Sequence, residues 1–241
     1  MEENSLYYKT IKKELEVWEK KMTRRPRLIN KASKKLQSKF HNLMPQKAQD
    51  VITISIKTMV QTVMFGSSLL TKSEISNNTS ISEGDFLAEK AYKMYYKVAI
   101  MQGIGFGLGG FLINLADLPA LLSLKVKFLF DIAKSYGFDV NKKEERIFLL
   151  YVFQLAFSCD EYKKEIFYTI KGWDNNLGEM ELNWEKLQME YRDYLDIAKL
   201  LQLLPVVGAV AGAYANHNLM QTLKVTAVNA YRLRLLQKFD I

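Results

Sequence analysis

Two long stretches without Lys, Arg, Asp or Glu, residues 98–116 and 200–223, constrain the fold of this 241-residue chain more than any other feature. Shifted by 99 positions they align: Gly109 with Gly208, Ala116 with Ala215, Asp117 with Asn216, and Leu124, Lys125, Val126 with Leu223, Lys224, Val225. Each copy runs from small residues through a short polar pause into a helix-like segment carrying a lysine. The pattern is that of an internal duplication, with two glycine-rich helical cores related by a pseudo-twofold. Gly103 and Gly107, Gly105 and Gly109, and Gly208 and Gly212 are each four apart, the spacing that lets a neighbouring helix approach the backbone closely. A glycine costs a helix about 1 kcal/mol, so such contact has to compensate.

Residues 98–116 would rise roughly 28 Å as a helix, just enough to cross hydrocarbon. Polar groups argue against a span: Gln102, Asn114 and Asp117 in or beside the first stretch, Pro205, Asn216, His217 and Gln221 in the second. A buried central hairpin is the expectation. Gly105, Gly107 and Gly110 also satisfy G-x-G-x-x-G. A dinucleotide site needs a strand before those glycines, and here Pro119 interrupts and Asp131 sits in a helical pattern.

With 49% apolar residues the chain can fill a sizeable core. Apolar positions recur every three or four residues: Tyr7, Ile11, Leu15, Trp18 and Met22; then Leu28, Ala32, Leu36 and Phe40; then Ile52, Ile56, Met59 and Val63 within a helix over 48–70. Residues 71–83 form the clearest loop. Ser80 with Glu83, Asn141 with Glu144, and Ser158 with Glu161 have capping-box spacing. Asp117 and Pro119 suit the start of a helix that runs to Tyr136 and stops at Gly137. Further helical runs cover 147–157, 166–173, 184–204 and 218–238. No set of alternating strands bounded by hairpin turns occurs, so the expected fold is all-α, a multi-helix domain of about eight to ten helices. The single Cys159 excludes an intrachain disulfide, and with only His41 and His217 beside it there is no zinc ligand set. Neither metal nor cofactor is expected.

The net charge of +8 is concentrated: residues 1–50 hold thirteen Lys and Arg against six Asp and Glu, which places seven of those charges there. Lys20, Lys21, Arg24, Arg25, Arg27, Lys31, Lys34 and Lys35 belong to a run free of carboxylates and are the candidate membrane- or anion-binding residues. We therefore divide the chain into a basic amphipathic N-terminal segment, 1–45, and a helical core domain, 46–241. The first residues lack the continuous hydrophobic core of a signal peptide. The competing reading is that the N-terminal helices pack on the body of the domain with their lysines solvated. Nucleic acid is not an expected partner, because aromatic interleaving and a recognised binding motif are missing.

Gly109 and Gly110, then Ala116, Asp117, Leu118 and Pro119, then Leu124 and Lys125, then Asp131, Ile132, Ala133, Tyr136, Gly137 and Phe138 resemble the central signature of the EcsC family. Pro205, Val207, Gly208, Ala209, Gly212 and Asn216, and the later Tyr231 and Arg232, are similar to its second part, and Trp18, Glu19, Lys20 and Lys21 to its opening. The resemblance covers nearly the whole chain. It implies an α-helical bacterial protein, often encoded beside an ATP-binding cassette (ABC) transporter, with no established biochemical activity and no catalytic residues to carry over.

Two functional classes follow. The first is a non-enzymatic peripheral membrane or ABC-transporter-associated accessory protein, cytoplasmic and attached at the inner face of the cell membrane. The second is a hydrolase or small-ligand-binding protein built on Asn114, Asp117, Asn216 and His217, with Asp117 orienting His217 as a general base. Helix capping by Asp117 and Asn216 competes with that site and is preferred, since both residues open helix-like runs. Substrate and oligomeric state are not legible.

Overall fold

The computed structural model describes residues 2–24, 46–65, 80–106, 118–158, 160–175 and 208–238. Among them lie seven α-helices and no strand: α1 (Glu2–Met22), α2 (Gln46–Phe65), α3 (Ile81–Phe106), α4 (Leu118–Ser135), α5 (Lys143–Phe157), α6 (Asp160–Lys171) and α7 (Gly208–Lys238). The all-α expectation holds. The runs expected at 28–40 and 184–204, and the boundary at residue 45, lie outside the described residues.

Helix ends follow from local chemistry. Ser80 caps α3 as its spacing implies, its Oγ accepting from the Glu83 amide at 3.2 Å. At the end of α4, Gly137 adopts φ 81°, the Phe138 amide donates to the Ala133 carbonyl at 3.0 Å, and the Gly137 amide to the Lys134 carbonyl at 3.0 Å. This is a Schellman stop, and it needs glycine for the left-handed residue. The capping box expected at Asn141 and Glu144 does not form. Lys142 takes the N-cap position of α5 without a side-chain bond, because Asn141 bonds Asp139 Oδ1 through both its amide groups at 2.9 Å. Arg146 supplies a different end: its Nη1 donates to the Val63 and Met64 carbonyls at 3.3 and 3.0 Å, covering the last turn of α2.

Helix α7 is the axis of the fold. It packs along α3 and also meets α1, α4, α5 and α6, while α3 lies on α4, and α2 on α4 and α5. The second half of α4 and most of α5 are buried all round, as expected of core helices. The N-terminal stripe is buried as well. Ile11, Leu15, Trp18 and Met22 are covered, Trp18 meeting Phe167 of α6 edge to face at 5.3 Å.

The glycine stretches bear on two of the readings and correct one. Gly103 and Gly105 lie inside α3, so the Gly105–Gly110 pattern begins within a helix, where the dinucleotide site already set aside would need a preceding strand. Helix α7 begins at Gly208 rather than residue 218 and continues through Asn216, which is helix interior and not a cap. The expected duplication does not show as a repeated element among the described residues, since Leu124–Val126 lies in an 18-residue helix and Leu223–Val225 within a 31-residue one. Among the described residues no helix is long and apolar enough to cross a membrane.

Candidate functional site

The expected polar site is only partly placed. His217 lies in α7, half-buried, with Nδ1 3.0 Å from the Tyr96 hydroxyl of α3 and the two rings edge to face at 5.5 Å. Asn114 and Asp117 lie outside the described residues, and so does the side chain of Asn216. Of the candidate anion-binding residues, Lys20 and Lys21 are exposed on the last turn of α1 and Arg24 is exposed just beyond it; Arg25, Arg27, Lys31, Lys34 and Lys35 lie outside the described set.

The structure assembles a polar centre that sequence spacing did not reveal. Asp85 of α3 receives the Arg232 guanidinium in a two-pronged pair, Nε to Oδ1 and Nη2 to Oδ2, both at 2.8 Å. The Tyr136 hydroxyl also donates to Oδ1 and the Tyr7 hydroxyl to Oδ2. Arg232 Nη1 reaches Glu14 Oε2 of α1 at 2.7 Å. Burial works to lower the Arg232 guanidinium, but bonding to Asp85 and its charge outweigh it and the net shift is upward. Burial, then the bond to Asp85, raise the Tyr7 phenol.

A second cluster lies one stacked ring away. Tyr136 stacks on Tyr231 with centroids 5.8 Å apart and planes 12° apart, and the Tyr231 hydroxyl donates to Glu145 Oε1 at 2.6 Å. Arg234 Nη1 bonds both oxygens of Glu145, at 3.0 and 2.9 Å, and its Nε and Nη2 hold Asp174 at 2.9 and 2.7 Å. The guanidinium sits over the faces of Phe138 and Phe148 at 4.1 and 4.2 Å. Burial pushes the Glu145 carboxyl up against the opposing pull of Arg234.

The Asp85 centre is saturated. A carboxylate offers about four lone-pair sites, and Asp85 spends them on four donors, leaving none to take a proton from a substrate. The two centres fix α1, α3, α4, α5 and α7 to one another.

Beside the Asp85 centre a groove of about 560 Å³ opens between α1 and α7. Val17, Trp18, Val225 and Val228 line it together with Lys13, Lys21, Lys224 and the Arg232–Glu14 pair. Lys224 is committed to Glu89 and lies over the Tyr92 ring, whereas Lys13 and Lys21 have no ion pair among the described residues. Such a lining suits an apolar body carrying an anionic group.

The EcsC protein family model matches residues 9–236, a span that takes in the groove and both centres apart from Tyr7. This chain belongs to the EcsC protein family. Protein EcsC of Bacillus subtilis (strain 168) is 42% identical to it over 221 residues, 92% of this chain and 93% of that protein. Uncharacterized protein YdbA of the same strain is 34% identical over 155 residues, 62% of this chain and 57% of that protein. No solved structure matches the chain. In this EcsC family member, Tyr136, Phe138, Tyr231 and Arg232, already singled out as family-like, converge on the two clusters. Their partners Asp85, Glu145, Asp174 and Arg234 were missed. The one local signal was a charge on the buried side of an apolar run, as at Arg234 between Leu233 and Leu235.

Proposed function

We propose that this EcsC family protein is a non-enzymatic accessory protein that attaches peripherally to an anionic membrane surface, with an ABC transporter in that membrane as the partner the family resemblance suggests. The observation that carries the reading is the division of α1. Its apolar stripe is buried on α6 and α7, anchored by Glu19 to Lys171 at 2.5 Å and by Glu14 to Arg232, while Lys9, Lys12, Lys13, Lys20, Lys21 and Arg24 face solvent. The buried stripe is already used, so what this helix turns to a lipid surface is mainly its cations, with Leu6 and Val17 as exposed apolar side chains beside them.

Liposome co-flotation across a salt series tests it. Binding to phosphatidylglycerol vesicles and not to phosphatidylcholine is expected, weakening from about 0.05 to 0.5 M salt as screening shortens the field. The variant Lys20→Gln/Lys21→Gln/Arg24→Gln leaves the buried stripe intact and should bind about a hundredfold more weakly, at roughly 1 kcal/mol per cation. No flotation on anionic vesicles at low salt would reject the reading. Deletion of α1 is the poorer test, because it removes Ile11, Leu15 and Trp18 from the core.

A further inference from the structure

The face that α3 turns to solvent is unlike an ordinary polar surface. Phe86, Met94, Val98 and Met101 are 69%, 54%, 40% and 73% exposed, and with the exposed Lys90, Lys93 and Lys97 they recur every three or four residues, so they form one stripe. From Phe86 to Met101 it extends about 22 Å. The opposite side of the helix fixes this orientation: Gly84, Ala88, Tyr92, Tyr95 and Ala99 are buried, α3 packs on α4 and α7, and Asp85 is locked to Arg232. The helix cannot roll to hide its exposed apolar residues.

The charges beside the stripe are cationic in balance. Of the acids on α3, Asp85 is committed to Arg232, Glu83 is half-buried near the N-terminus, and Glu89 is paired with Lys224, with Lys93 3.9 Å from its other oxygen. Lys90 and Lys97 have no ion pair among the described residues. Large apolar side chains interleaved with lysines on one fixed face, on a helix that does not qualify as a membrane span, match a helix that lies in the interfacial layer of a bilayer.

We infer that the Phe86–Met101 face of α3 is a membrane-contacting surface, with Phe86, Met94 and Met101 entering the headgroup–acyl boundary and Lys90, Lys93 and Lys97 meeting anionic headgroups. This rests on the peripheral-attachment reading and adds to it a second contact, richer in large exposed apolar side chains than that of α1. It gives the bound protein a definite orientation, α3 face down.

The test places an environment-sensitive fluorophore on the full-length protein. In a Cys159→Ser background, Met94→Cys and Met101→Cys are labelled with a nitrobenzoxadiazole dye. A label at Tyr168→Cys serves as the off-face control; Tyr168 is half exposed on α6, which packs on α1, α5 and α7. With phosphatidylglycerol vesicles the α3 labels should shift to the blue and be quenched by lipid-attached quenchers, while the Tyr168 label stays unchanged. Phe86→Ala/Met94→Ala/Met101→Ala, all at exposed positions, should weaken flotation by at least about tenfold and make the residual binding more sensitive to salt. If the wild type floats but the α3 labels stay in water, the inference is overturned and the attachment reading stands. If the wild type does not float, both fail. A blue shift that grows with protein concentration without vesicles would make this face a contact between two copies and overturn the lipid assignment.

Discussion

Gly84 shows how one missing side chain fixes a polar centre. A Cβ there would lie 2.3 Å from Cδ1 and 2.5 Å from Cε1 of Tyr136, whose ring is held between its bond to Asp85 and its stack on Tyr231. The ring has no free direction in which to yield. Gly84→Ala should therefore destabilise the protein by about 1–3 kcal/mol even though alanine is the better helix former by about 1 kcal/mol, read as a lower urea midpoint. The sequence marked the cap at Ser80 but gave no sign of this contact, because Gly84 and Tyr136 lie 52 positions apart and only packing brings them together.

Among elements, Arg234 carries the join between α7, α5 and the turn after α6. Arg234→Met would leave Glu145 buried with only the Tyr231 hydroxyl, while the partly exposed Asp174 can rehydrate. The expected loss is about 3–5 kcal/mol by chemical denaturation at neutral pH. It shrinks in acid, where the unpaired carboxyl takes up a proton. Replacing both partners, Arg234→Met with Glu145→Leu, should recover most of that loss, since no buried charge is then left alone. The stripe of α1 and the stop at Gly137 were readable from local spacing. The continuity of α7 through Asn216 was not: its polar residues resemble a pause, and only burial of Leu219, Met220 and Leu223 against neighbouring helices carries the helix across it.

For the whole molecule, alkaline pH reads out the buried groups. Burial lowers the fully buried Lys125 to about 8, so between about pH 8 and 10.5 the unfolded chain binds more protons than the folded one, and stability from this group rises with pH. Tyr7, Tyr95, Tyr136 and Tyr231 are shifted upward, chiefly by burial, so above about pH 10 the unfolded chain loses protons first and stability falls. Thermal denaturation should give a melting temperature that climbs from pH 8 and then drops. Lys125→Met should remove the climb and keep the drop; a flat wild-type profile between pH 8 and 10 would contradict the assignment.

What the sequence determined by itself was what short-range physics controls: helical periodicity and hence the all-α class, the cap at Ser80, the glycine stop of α4, the concentration of positive charge in residues 1–50 and the family resemblance. What only the tertiary structure decided was which side chains meet and which stay in water. Asp85 with Arg232 and Glu145 with Arg234 are pairs 147 and 89 residues apart, and no local pattern encodes them. The exposed stripe of α3 is of the same kind, for Phe86 and Met101 look like core residues until α4 and α7 take the opposite side of the helix. Helix formation is a matter of a few neighbouring residues, whereas burial depends on every element that packs against them.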